Sequence, residues 1–143
     1  GITRYTANNI SEISRRLITT NGTSSTELIR FQPSSSAGQY INTDVRYVRI
    51  TNLDNANFAT LRFRGSASTD YAFRLDPTSS HILMTSQISG SVASPSGSAP
   101  AGSSIAGVTS YADISGLVLT NLRKISAIAD TAAVDLELFV ASE

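Results

Sequence analysis

The chain of 143 residues contains one histidine, no cysteine and eleven carboxylates, and these counts bound the chemistry open to it. A hydrolytic triad would have to run through His81, with a serine as nucleophile and a carboxylate as orienting group. His81 lies in TSSHILMTS, which reads as a strand. The nearest approach to a nucleophile elbow, Gly102-Ser103-Ser104-Ile105-Ala106, lacks the second glycine and sits in a low-complexity loop. Triad catalysis is therefore not expected, and His81 reads as structural or solvated. One imidazole and no thiol cannot supply three nitrogen or sulfur ligands, which argues against a transition-metal centre. Asn52, Asp54, Asn55 and Asn57 gather oxygen donors of the kind hard cations take, although only one is a carboxylate and turns favour the same residues. From sequence alone, calcium at this loop stays an open question. Asp135 and Glu137 alternate onto one face of the C-terminal segment, where an ion-paired or solvated face is a better reading than two catalytic acids converging in a cleft. No phosphate-cradling glycine loop or basic-aromatic nucleic-acid motif occurs. The expectation is a protein that is not an enzyme and takes no cofactor.

The positive signal is the choice of cation. Ten of the eleven basic residues are Arg and only Lys124 is Lys. Arginine's planar fork binds carboxylates and backbone carbonyls bidentately, and Arg is enriched at protein interfaces where Lys is depleted. Arg62, Arg64 and Arg74 are expected to project from one face of neighbouring strands, with Arg46 a candidate fourth member. Such a ladder of like charges needs acids opposite it, either Asp135 and Glu137 of the same domain or acids of another subunit. The candidate protein-contact residues are these four with Arg15, Arg16, Tyr5, Tyr40, Ile88, Val92, Ile105 and Tyr111.

The elements that would position them are strands. Val134, Leu136, Leu138 and Val140 share one face of an alternating segment, and Ala59-Leu61-Phe63 and Tyr71-Phe73-Leu75 alternate with polar residues in the same way. Gly65 to Thr69 would join the latter two. Asp44 to Thr51 is β-branched and aromatic, and with those two segments it suggests an antiparallel meander. Further strands are expected at Thr26 to Phe31, His81 to Thr85, Gly116 to Thr120 and Lys124 to Ala129, the last joined to the terminal strand across Asp130 and Thr131. The segment Asn9 to Thr20 has some helical spacing, but Leu17 to Thr20 is β-prone and runs into Asn21-Gly22, the dipeptide that favours a tight hairpin, so it reads as a strand. Seven to nine short strands with no crossover helix give an all-β antiparallel sandwich, jelly-roll-like.

Length and composition agree. The length fits one domain with a single core, taken as residues 25–143, preceded by residues 1–24 as an N-terminal arm or first hairpin strand. The stretch Ser86 to Ser110 is almost all Ser, Gly, Ala and Pro and cannot bury enough apolar surface to offset its own ordering entropy, so it reads as an extended loop that serves as a contact arm. Zero net charge offers no basic face for a polyanion, and no apolar run approaches a membrane span. The N-terminal GITRYTANNI lacks the layout of a secretion signal. With 23 Ser and 15 Thr, the polarity comes from hydroxyls, which suits strands and loops. A sugar-binding platform would want exposed aromatics, and the chain has no Trp and five Tyr.

In order along the chain, VRYVRITNLD, FATLRFRG, YAFRLDPTSSHILMTS and KISAIADTAAVDLELFVASE resemble segments of small virion proteins of tailed bacteriophages. Leu75-Asp76-Pro77-Thr78-Ser79 matches a Leu-x-Pro-x-Ser turn, with Thr78 where the family has Gly, and Ile125 to Asp130 matches an Ile-x-Ala-x-Ala-Asp hairpin before the terminal strand. The likeness covers about Asp44 to Glu143. It implies a capsid decoration (cement) protein, a homotrimer on the outer surface of a phage head, made in the host cytoplasm and bound to the major capsid protein. A neck, tail or fibre component and a carbohydrate-binding β-sandwich are the alternatives.

Overall fold

The computed structural model describes residues 1, 6–32, 34, 37–65, 70–84 and 122–143. The loop 86–110, the turn at 66–69, the strand expected at 116–120, and Tyr5, Ile88, Val92, Ile105 and Tyr111 lie outside the described residues. The regular elements described are nine strands: β1 (Glu12–Thr20), β2 (Thr26–Gln32), β3 (Tyr40–Ile41), β4 (Val45–Asn52), β5 (Ala59–Gly65), β6 (Asp70–Leu75), β7 (Ser80–Met84), β8 (Leu122–Ala129) and β9 (Val134–Ser142). They form two sheets, one in the order β1-β9-β4-β7 (sheet I) and one in the order β3-β2-β8-β5-β6 (sheet II).

The pairs β1·β9, β2·β8, β4·β7 and β5·β6 are all antiparallel, as if one long hairpin had been wrapped around itself. This is jelly-roll connectivity. The two-residue β3 adds a parallel edge beside β2. Alternation selects the core. Val134, Leu136, Leu138 and Val140 of β9 turn inward with Val48 and Ile50 of β4, and they meet Leu61, Phe63, Ile125, Leu28 and Phe31 of sheet II. Each such side chain contributes about 1.5–3 kcal/mol by leaving water.

Three expectations about pairing are corrected. The meander does not form, because β4 lies in sheet I between β9 and β7 and only β5 and β6 pair as neighbours. Asn21-Gly22 is not a two-residue hairpin, since β1 and β2 belong to different sheets. Asn21 Oδ1 instead accepts the amides of Thr23 and Ser24, folding the chain across the end of the sandwich. Gly22 is needed there for closeness, as a Cβ would meet the carbonyl oxygens of Asp130 and Thr131 at 3.2 and 3.3 Å. Likewise β8 and β9 are consecutive without pairing.

All four connections 21–25, 53–58, 76–79 and 130–133 meet at this one end. They are tied by Ala129 N to Asn21 O (3.0 Å), Asp130 N to Phe58 O (3.1 Å), Thr78 N to Asp54 O (3.1 Å) and Leu53 N to Asp135 O (2.9 Å). Asn52, fully buried, fastens the crossover from β4 to β5. Its amide donates to Asn57 O (3.0 Å) and Leu75 O (3.2 Å), and its Oδ1 accepts Asp54 N (2.9 Å).

A candidate docking face on sheet I

The outward side of sheet I is built by register. Ile13, Ala141, Tyr47 and Met84 form one row across β1, β9, β4 and β7; Arg15, Phe139, Arg49 and Ile82 form the next; Leu17, Glu137, Thr51 and Ser80 the third. Ile13 is 63% exposed, Leu17 69%, Ile82 44% and Met84 45%. Leu53, which follows β4, is also exposed, so five of the six large apolar side chains exposed among the described residues belong to this side, and only Phe73 lies elsewhere. Alternation normally places polar residues outward on a two-sheet sandwich. Here apolar side chains occupy the edges of that surface and charge occupies its middle.

The charged centre is a closed triad. Arg15 donates to Glu137 Oε2 through Nε (2.9 Å) and Nη2 (2.6 Å), and Arg49 Nη2 donates to Oε1 (2.9 Å). The hydrogen bonds from Arg15, with those of Arg49, hold the Glu137 carboxyl below its ordinary 4.5 against the opposing effect of desolvation. Arg49 also lies over the Phe139 ring at 5.4 Å, and Tyr47 meets that ring edge-on at 5.8 Å. These contacts fix the aromatic and guanidinium planes before any partner arrives. Thr19 Oγ1 donates to Asp135 at 2.6 Å. The combination of Met, aromatic, aliphatic and Arg side chains that the described residues place on this one face is the composition of protein interfaces.

Sheet II differs in character. Arg62, Arg64 and Arg74 share its outer side, as their registers with Ala72, Asp70 and Thr60 require. Arg30, Lys124 and Arg64 form a row across β2, β8 and β5, and with Arg123 they line a shallow basic cleft of about 270 Å³. Arg30 is paired to Glu27, and Arg74 donates to Asp76 at 2.6 Å with its guanidinium 3.9 Å over the Phe58 ring. The acids expected to face this ladder, Asp135 and Glu137, lie on the opposite sheet. Arg46 is not beside it either: it sits on β4, donates to Thr43 O and pairs with Glu143.

Of the remaining sequence candidates, Arg15 belongs to the triad, whereas Arg16 turns across the sandwich to donate to Leu28 O at 2.7 Å. Tyr40 of β3 packs on the core. Sequence reasoning passed over Ile13, Leu17, Ile82 and Met84, although the alternation Ile13-Arg15-Leu17 was a usable sign of an apolar outward face on β1. His81 contacts the Phe63 and Phe73 rings at 5.4 and 4.7 Å, and burial pushes its pKa down. In the 52–57 loop, Asp54 Oδ1 accepts the amides of Ala56 (2.7 Å) and Asn57 (2.6 Å), and these bonds lower its pKa. Of the four side chains that offered oxygen donors for calcium, those of Asn52 and Asp54 are thus engaged in closing the turn. Among the described residues no group of three or more His, Cys, Asp or Glu side chains is placed to hold a metal ion.

The sequence matches no family model and no curated protein. Among solved structures it is similar to one described by the words "Bacillus endospore appendages form a novel family of disulfide-linked pili", with 7% identity, 99% of this chain and 96% of that chain covered, and a TM-score of 0.43. This chain has no cysteine with which to form a disulfide.

Proposed function

We propose that this protein is a non-catalytic structural subunit that docks on another protein through the outer face of sheet I. The observation that carries the reading is the exposure of Ile13, Leu17, Ile82 and Met84 around a pre-assembled Arg15–Glu137–Arg49 triad. Burying that apolar rim is favourable, while the triad keeps one net positive charge and an Arg49 Nε without an acceptor among the described residues, so the partner is expected to bring an acidic or carbonyl oxygen to it.

The narrower form of the proposal is a decoration protein on the outside of a phage head, with the major capsid protein as partner. It is supported by the likeness of 44–143 to phage virion proteins and is compatible with the jelly roll, a fold that viral capsid and lectin domains both use and that does not by itself specify function. The test is immunogold labelling of purified virions from the source of this sequence, using an antibody to the chain. Label over the head exterior is expected. Label at the neck or tail would replace decoration by the fibre or neck alternative, and absence from purified particles would overturn the virion reading. Ile82→Lys with Met84→Lys should abolish particle binding while leaving the melting temperature unchanged.

A further inference from the structure

Among the described strands, the four sheet edges are unequal. β3 has two residues, β7 five and β6 six, whereas β1 presents nine. β1 pairs with β9 in an unbroken register from Glu12↔Ser142 to Thr20↔Val134, and among the described residues no strand pairs with its other side, which offers a regular row of main-chain donors and acceptors. Proteins usually blunt such an edge with proline, lysine, a bulge or short length, because it is a template for another strand. β1 has no proline, lysine or bulge, and its charges are those of Glu12, Arg15 and Arg16. Its inward Arg16 could have served as a guard, but it is turned to the Leu28 carbonyl. The same strand carries the two most exposed large apolar side chains among the described residues, Ile13 and Leu17, four positions apart on the outer side.

We infer that β1 is a self-association edge, where two copies of this chain pair β1 to β1, antiparallel about a two-fold axis through Arg15. An axis perpendicular to the sheets keeps outward residues on one side, so only registers that pair odd with odd positions are open. Among them, centring on Arg15 alone sets Ile13 opposite the second copy's Leu17, and it does so twice. Centring on Ser14 or Arg16 would set Arg15 against an apolar side chain. The two Arg15 side chains come together already bound to Glu137 of their own copies, which reduces their repulsion although each carboxylate is shared with Arg49. On the inward side, Ser14 faces the second copy's Arg16. That position overhangs a cleft of about 270 Å³ lined by Glu12, Ser14, Arg16, Gly38, Gln39 and Tyr40. Gln39 Oε1 is buried there without a hydrogen-bond donor among the described residues, and Arg16, with five N–H groups, keeps donors to spare. The result is a continuous eight-stranded sheet whose apolar outer face is doubled.

The pairing rests on the edge of β1 and does not depend on what docks on sheet I. The 143-residue chain is examined by sedimentation equilibrium from micromolar to sub-millimolar concentration, where a species of twice 15.1 kDa is expected. A strict monomer overturns the inference, even if a partner's peptide later proves to add to β1, and so does the trimer implied by the phage resemblance. Because the chain has no native cysteine, Ile13→Cys and Leu17→Cys report the register directly. Oxidising the mixed variants should give roughly tenfold more disulfide dimer than oxidising either alone, since opposite Cβ atoms meet bonding geometry and like positions lie about 13 Å apart. Equal yields overturn the register and with it the two-fold at Arg15. Leu17→Lys should leave circular dichroism unchanged and abolish the dimer. Met84→Lys, on the far edge, should keep the dimer while losing any docking, so the two proposals fail separately.

Discussion

Replacing Asn52 by alanine should test how the sandwich end is held. The side chain is fully buried and makes three hydrogen bonds, two to the carbonyls of Asn57 and Leu75 and one from the amide of Asp54. A net hydrogen bond is worth about 0.5–1.5 kcal/mol, and stranding buried carbonyls adds to the loss, so Asn52→Ala is expected to cost about 2–4 kcal/mol. Against a typical total of about 5–15 kcal/mol, that is a substantial part of the stability. For a chain of this size it corresponds to a fall in Tm of roughly 6–12 °C. Urea unfolding followed by far-ultraviolet circular dichroism is the suitable assay, since there is no Trp to report. The midpoint should fall with the slope unchanged, because the surface exposed on unfolding is the same. Asn52→Asp should be no better than alanine, since it turns a carboxylate oxygen toward two carbonyls. Asn57→Ala should be mild, as Asn57 contributes its main-chain oxygen. A loss below about 1 kcal/mol for Asn52→Ala would refute the reasoning, because it would mean that those carbonyls find other donors at no cost.

Thr78 holds a φ of 59°, a left-handed conformation that a β-branched side chain adopts only under strain. Thr78→Gly should relieve about 1–2 kcal/mol of that and lose about 0.5–1 to chain entropy, a net rise in stability readable as a Tm increase of a few degrees. Glu137→Gln should destabilise at neutral pH, and the difference from wild type should vanish in acid. The folded carboxyl titrates below its ordinary 4.5, so its contribution is present above that value and is lost as pH falls through the folded pKa. For His81 the sign leads to the same acid sensitivity by another route. Its folded pKa lies below 6.5, so above 6.5 both states are neutral, and below it the unfolded chain gains a proton that the folded one resists. His81→Phe should flatten the decline of Tm between pH 7 and pH 5, and an unchanged slope would count against burial as the cause. Leu138→Ala, at the centre of β9, should lower stability by about 2–5 kcal/mol in urea unfolding.

What the sequence by itself determined is most of the described strands, the two-residue β3 excepted, and the alternation of sides along each. Alternation is local: Val134, Leu136, Leu138 and Val140 are inward in any sandwich that buries this segment, and Arg62 and Arg64 share a side because they stand two positions apart on one strand. Sheet membership is not local. β4 reads as the natural partner of β5, yet burying both in one core sends the chain to the opposite sheet between them, which dissolves the meander and carries Asp135 and Glu137 away from the arginine ladder. Asn21-Gly22 shows the same limit at the scale of a turn, because its glycine is demanded by the carbonyls of Asp130 and Thr131, over a hundred residues away in the chain. The apolar outer surface of sheet I as a whole is a tertiary product. Ile13 and Leu17 meet Ile82 and Met84 on one surface only because β9 and β4 pair with each other and with β1 and β7, and pairing over such separations is decided by the joint burial of both sheets.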